Sequence, residues 1–95
     1  MIIVREVFIA KPGMAGKLAK MFKSAMQEIP EANVSIMTDM TGQFNKVVMA
    51  TQFDSLTDFE KRMQEYGSKP EMREKMLGYT DMYISGEREV YRVLE

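Results

Sequence analysis

Residues 2–10, IIVREVFIA, constrain this chain more than any other stretch. Side chains alternate between the two faces of a strand. Here both alternating sets are largely apolar: Val4, Phe8 and Ala10 with Glu6 on one side, Ile3, Val7 and Ile9 with Arg5 on the other. Such a strand needs cover on both faces, which places it in the middle of a sheet. Arg5 and Glu6 sharpen the requirement. As sequence neighbours they point to opposite faces and cannot readily pair with each other, and an unpaired interior charge costs several kcal/mol. Each must either find a partner elsewhere, with Arg88, Arg92, Glu87 and Glu89 on hand near the C-terminus, or line a polar cavity.

Lys11-Pro12-Gly13 breaks the strand, and Gly13 is expected to open a helix. Its apolar positions Met14, Leu18, Met21, Phe22, Ala25 and Ile29 recur at spacings of three and four, forming one buried stripe that Pro30 stops. Residues 34–39 read as a short second strand, Thr41-Gly42-Gln43-Phe44-Asn45 as hairpin turn chemistry, and 46–53, KVVMATQF, as a third strand rich in β-branched residues. Asp54 and Ser55 are N-cap candidates, with Asp58 at capping-box spacing from Ser55. Leu56, Phe59, Met63 and Tyr66 then form a second helical stripe, ended by Gly67. Pro70 suits the first position of a short third helix, with Met72, Met76 and Leu77 inward and Gly78 as its stop. From Thr80 the chain is expected to be extended, with a bulge at Gly86. Residues 87–94 alternate charge with Val90, Tyr91 and Val93, the pattern of an edge strand.

This order predicts a single domain over 1–95 of the α+β class: a ferredoxin-like βαββαβ fold with a four-stranded antiparallel sheet, helices on one face and an extra short helix before the last strand. The first and third strands are central and the other two lie at the edges. Helices on one face leave the other bare, although the central strands are apolar on both. A second copy of the chain laid sheet to sheet resolves this, so the expectation is a two-fold homodimer, a dimeric α/β barrel.

Composition matters here mainly for what is missing. With no cysteine and no histidine the chain has no thiolate nucleophile, no sulfur ligand and no imidazole to shuttle protons or bind metal. Neither a metal nor a cofactor is expected. A formal net charge of −1 exerts no general pull toward nucleic acid or an anionic membrane, so neither is expected as a partner. No apolar run approaches the roughly 20 residues of a membrane-spanning helix, and Met1 leads directly into a strand-like segment; a mature cytoplasmic chain is the expectation.

Two groups of side chains could form a site. Eleven methionines in 95 residues are an unusual number, and those on or near the helices could line an adaptable apolar pocket, although ordinary core filling explains them too. Tyr66, Tyr79 and Tyr83 lie near the junction of the second and third helices with the last strand. Together with Met63, Met76 and Phe22 they are the ligand-pocket candidates, for a small apolar or aromatic molecule. The plainer reading has tyrosines at the rim of the core with wet hydroxyls. Arg5 and Glu6 are the polar candidates on the strand, and no residue can be singled out as catalytic. Lys11, Lys17, Lys20 and Lys23, in a stretch without acids, are a basic patch or simply a solvated helix face.

Four segments carry a family resemblance: Phe8-Ile9-Ala10-Lys11-Pro12-Gly13, the hairpin Thr38-Asp39-Met40-Thr41-Gly42-Gln43-Phe44-Asn45, Phe53-Asp54-Ser55-Leu56 at a helix start, and Ser85-Gly86-Glu87-Arg88-Glu89-Val90-Tyr91. Across nearly its whole length the chain resembles small dimeric α/β-barrel proteins, NIPSNAP-like domains in the first place and antibiotic-biosynthesis monooxygenase-like domains more distantly. NIPSNAP-like first strands often alternate Glu, Arg and Tyr. Val4, Glu6 and Phe8 stand at those positions here, and Arg5, one residue out of register, faces the other way. The monooxygenase resemblance implies a pocket between helices and sheet, where cofactor-free oxidation of a phenolic substrate needs little beyond deprotonation and orientation. The tryptophan used by some such relatives is absent. Two functions stay open: a small-molecule-binding barrel subunit, including a cofactor-independent monooxygenase-like enzyme, and a non-enzymatic dimeric structural or regulatory module with a packed interior.

Overall fold

In the computed structural model, which describes residues 1–29 and 33–95, strand β1 (Ile2–Ala10) pairs antiparallel with β3 (Lys46–Phe53) on one side and β4 (Tyr83–Arg92) on the other. Strand β2 (Val34–Thr38) flanks β3, giving the order β2-β3-β1-β4. The two most apolar strands are thus the central pair, and the charged β4 lies at an edge. The fold is ferredoxin-like α+β.

Register sorts the side chains into two faces. Val4, Glu6 and Phe8 stand opposite Thr51, Met49 and Val47 of β3 and opposite Val90, Arg88 and Gly86 of β4. On this face packs helix α1 (Ala15–Met26). Its Leu18 and Phe22 close a buried cluster with Ala10 and Val47, while Ala25 and Ile29 meet Met72 of the short helix α3 (Pro70–Lys75). Full burial of side chains such as Leu18 and Phe22 contributes about 1.5–3 kcal/mol each. The other face carries Ile3, Val7, Ile9, Met37, Val48 and Ala50, and no residue of that face joins either cluster.

Several details differ from expectation. Helix α1 begins at Ala15, because Gly13 adopts the left-handed conformation (φ +81°) and belongs to the corner; there the Met14 N–H donates to the Lys11 carbonyl at 2.9 Å. The expected helix stop at Pro30 lies outside the described residues. Asp39 falls just beyond β2, where its Oδ1 accepts the Lys46 N–H at 2.9 Å and closes the hairpin. Residues Tyr79–Asp81 form a 3-10 turn after the left-handed Gly78 (φ +84°), so the chain becomes extended only at Tyr83. Leu77 is exposed.

The bulge is not at Gly86. Pairing shifts between Ile9 and Ala10, which face Ser85 and Tyr83, leaving Ile84 as the extra residue. Gly86 has another job: it stands across from Phe8, whose ring lies where a side chain would be.

Candidate functional site

Helix α2 (Leu56–Gly67) starts as expected, with the Ser55 hydroxyl accepting the Asp58 N–H at 3.2 Å. Its apolar stripe is not buried in the expected way: no residue of α2 is fully buried, and Leu56 and Met63 are exposed. Phe59, Met63 and Tyr66 instead front a cavity of about 490 Å³ between α2 and the sheet. The sheet supplies its floor, including Val4, Glu6, Phe8, Met49 and Thr51. Phe22 and Met26 of α1, Ile29 just beyond it, and Met72 and Met76 around α3 form the walls. Five methionines therefore line it, Met26, Met49, Met63, Met72 and Met76, and their unbranched thioethers can re-pack around a guest.

The polar groups come from residues far apart in sequence. On the floor, Arg88 Nε donates to Glu6 Oε1 at 2.6 Å, and the two stand directly opposite one another on β4 and β1. Glu6 is well shielded, with its side chain 16% exposed, whereas Arg88 is 48% exposed and its guanidinium lies 5.2 Å from the Phe59 ring centre. This anchors one end of α2 over the sheet through a cation–π contact. Arg62 of α2 similarly sits 5.3 Å from the Phe53 ring centre.

On the opposite face, Arg5 Nη1 lies 3.2 Å from Glu89 Oε1. That oxygen is out of water and receives no well-formed hydrogen bond, so the contact is mainly charge on charge. Since Arg5-Glu6 runs antiparallel to Arg88-Glu89, each pair finds its opposite charge directly across, one pair on each face of the sheet.

The candidates from the sequence divide accordingly. Tyr66, Tyr79, Met63, Met76, Phe22 and Glu6 all line the cavity. Tyr83 does not: it stacks within the core, 4.9 Å from Phe8 and 5.9 Å from Tyr79 between ring centres. Arg5 is on the far side of the sheet. Lys11, Lys17, Lys20 and Lys23 are all exposed and away from the cavity. Arg62 and Arg73 line the cavity without having been singled out. For Arg62 a signal existed, because it shares a helix face with Phe59 and Tyr66 at spacings of three and four. Chemically, the site offers a deformable apolar chamber, two phenols, one carboxylate already held by an arginine, and guanidinium groups.

No protein-family model matches this chain, and no curated protein matches it by sequence. Solved structures do match by fold. An uncharacterized NIPSNAP domain protein from Burkholderia xenovorans superposes with a TM-score of 0.85 at 13% identity, over 99% of this chain and 95% of its own. A NIPSNAP family protein from Agrobacterium tumefaciens gives 0.86 at 13% identity, over 99% and 93%. A proposed antibiotic biosynthesis monooxygenase from Chloroflexus aurantiacus gives 0.77 at 11% identity, over 99% and 93%. At such identities the likeness is one of fold, and that fold is shared from end to end.

Proposed function

We propose that this chain is a cytoplasmic small-molecule-binding subunit that holds an apolar or aromatic ligand between helix α2 and the sheet. The observation that carries this reading is the cavity of about 490 Å³ beneath a helix with no fully buried residue. That volume falls within the range of roughly 300–1,000 Å³ typical of ligand sites. A structural module with a packed interior would fill such a space with side chains, so the cavity weighs against that alternative.

Equilibrium dialysis and thermal shift across a panel of hydroxylated aromatics test the reading. A ligand at a hundred times its Kd should stabilise the fold by about 2.7 kcal/mol. A panel in which nothing is retained on dialysis and nothing raises the melting temperature overturns it.

A second, enzymatic reading is cofactor-independent oxygenation of a phenolic ligand. It is favoured by Glu6, Tyr66 and Tyr79 lining one cavity, and by fold likeness to the Chloroflexus protein. Oxygen uptake with each panel member that binds decides it: uptake supports catalysis, and binding without uptake leaves a carrier or sensor.

The subunit is further proposed to work as a two-fold dimer. The half-buried Ile3, Val7, Ile9 and Ala50 supply the apolar surface of that face, and a mate laid sheet to sheet would cover it. Light scattering at low micromolar concentration checks this; a stable, well-folded monomer refutes it.

A further inference from the structure

The cavity is lined by charges of unequal number. Among the described residues it has one carboxylate, Glu6, and three guanidinium groups, Arg62, Arg73 and Arg88, a balance of +2 in a chain whose formal net charge is −1. Glu6 and Arg88 largely neutralise each other through their 2.6 Å contact. Neither Arg62 nor Arg73 forms an ion pair with a described residue. Arg62 also borders a neighbouring groove that holds Asp54, Asp58 and Glu65, so its charge is shared; Arg73 lines the cavity and not that groove. Arg62 is half-buried and Arg73 exposed, so both stand where the apolar walls meet water and are screened less than a guanidinium with water on every side.

We propose that the ligand is an amphipathic monoanion, an apolar body of one or two rings carrying a single carboxylate. This rests on the ligand-binding reading of the same cavity. The methionine-lined chamber takes the body, and Arg73, with Arg62, takes the carboxylate at the mouth. Glu6 sets the direction. Its 2.6 Å contact occupies the Arg88 guanidinium, so the floor offers an anionic head no unpaired cation and is left to the apolar body. A bare anion such as inorganic phosphate would gain nothing from the methionines and should bind weakly.

Isothermal titration of the intact chain at low ionic strength, with 2-naphthoate, its neutral isostere 2-naphthamide, and inorganic phosphate, tests the proposal. Naphthoate should bind at least about tenfold tighter than the amide, equivalent to ~1.4 kcal/mol. That gap should fall to below about threefold in the Arg62→Gln/Arg73→Gln double variant, and the Arg73→Gln single variant should lie between. Equal binding of naphthoate and naphthamide to the unaltered chain overturns the anion assignment while leaving the cavity reading intact. A gap that survives in a folded double variant overturns the assignment to Arg62 and Arg73. Phosphate binding as tightly as naphthoate overturns the amphipathic ligand. Binding of neither aromatic overturns the cavity reading on which the proposal rests.

Discussion

Replacing Gly86 with alanine should destabilise this protein, contrary to the usual expectation for removing a glycine from a strand. Gly86 does not have a positive φ, so backbone strain does not enter, and the lower entropy of the unfolded chain would by itself favour alanine by about 0.4–1 kcal/mol. Space decides otherwise. A Cβ at position 86 would come within 3.1 Å of both Cδ1 and Cε1 of Phe8, and 3.7 Å from Cε2 of Tyr83. The Phe8 ring is braced by Phe22 at 5.0 Å and Tyr83 at 4.9 Å between ring centres, so it can give way only toward the cavity that it lines. Overpacking of this kind costs about 1–3 kcal/mol, leaving a net loss between roughly 0 and 2.6 kcal/mol, with about 1 kcal/mol near the middle. For a domain of this size, 1 kcal/mol corresponds to about 4–8 °C in melting temperature.

Urea and thermal unfolding of Gly86→Ala and Gly86→Ala/Phe8→Leu measure the effect. The smaller, flexible leucine should relieve the clash, so the alanine penalty should largely vanish in the Phe8→Leu background, a coupling of about 1 kcal/mol. Gly16→Ala, at a site with no atom near the added Cβ, is the control and should be neutral or slightly stabilising. If Gly86→Ala is as stable as the parent, or if its penalty persists without the Phe8 ring, the packing argument fails.

Other perturbations address the core, the ion pair and the proposed interface. Phe22→Ala, at a side chain 1% exposed, should cost about 3–5 kcal/mol in urea unfolding, whereas Met63→Ala, beside the cavity and 46% exposed, should cost less than about 0.5 kcal/mol. Comparable losses would mean that α2 is packed much more tightly than its exposure indicates. Glu6→Gln should lower stability by about 1 kcal/mol, a modest figure because water reaches Arg88 and screens the pair; no change in the urea midpoint would count against a structural role. Val7→Lys, in the middle of the face that carries no helix, should yield a folded monomer by light scattering, and an unchanged dimer mass would rule out that face as the seam.

The candidate site was only partly legible in the sequence. Tyr66, Tyr79, Met63, Met76 and Phe22 could be grouped because apolar and amphipathic residues at helical spacing must share a face, and they do line one cavity. Tyr83 was grouped with them by proximity along the chain, yet the irregular pairing near Ile84 carries it into a stack with Phe8 and Tyr79. Sequence neighbourhood carries no information about that shift. The arginine lining was harder still to see. Arg62 shares the stripe of Phe59 and Tyr66, but Arg73 has no such signal, and Arg88 reaches Glu6 across 82 positions only because two strands pair in one register.

Alternation and helical spacing by themselves determined the order of elements, the central place of β1 and β3, the edge place of β4 and the Ser55 cap, because these depend on short-range geometry that each segment carries with it. Tertiary structure alone decided which apolar stripe would be packed and which would be left facing a void. Leu18 and Phe22 of α1 found a wall of β-branched and aromatic side chains close enough to exclude solvent, while in α2, written in the same periodic language, Phe59 reaches the Phe53 ring of β3 and Tyr66 the Ala25–Ile29–Met72 cluster, and Met63 between them stays exposed beside the cavity. An apolar period states that a face avoids water; the distance to whatever covers that face is set by the rest of the chain.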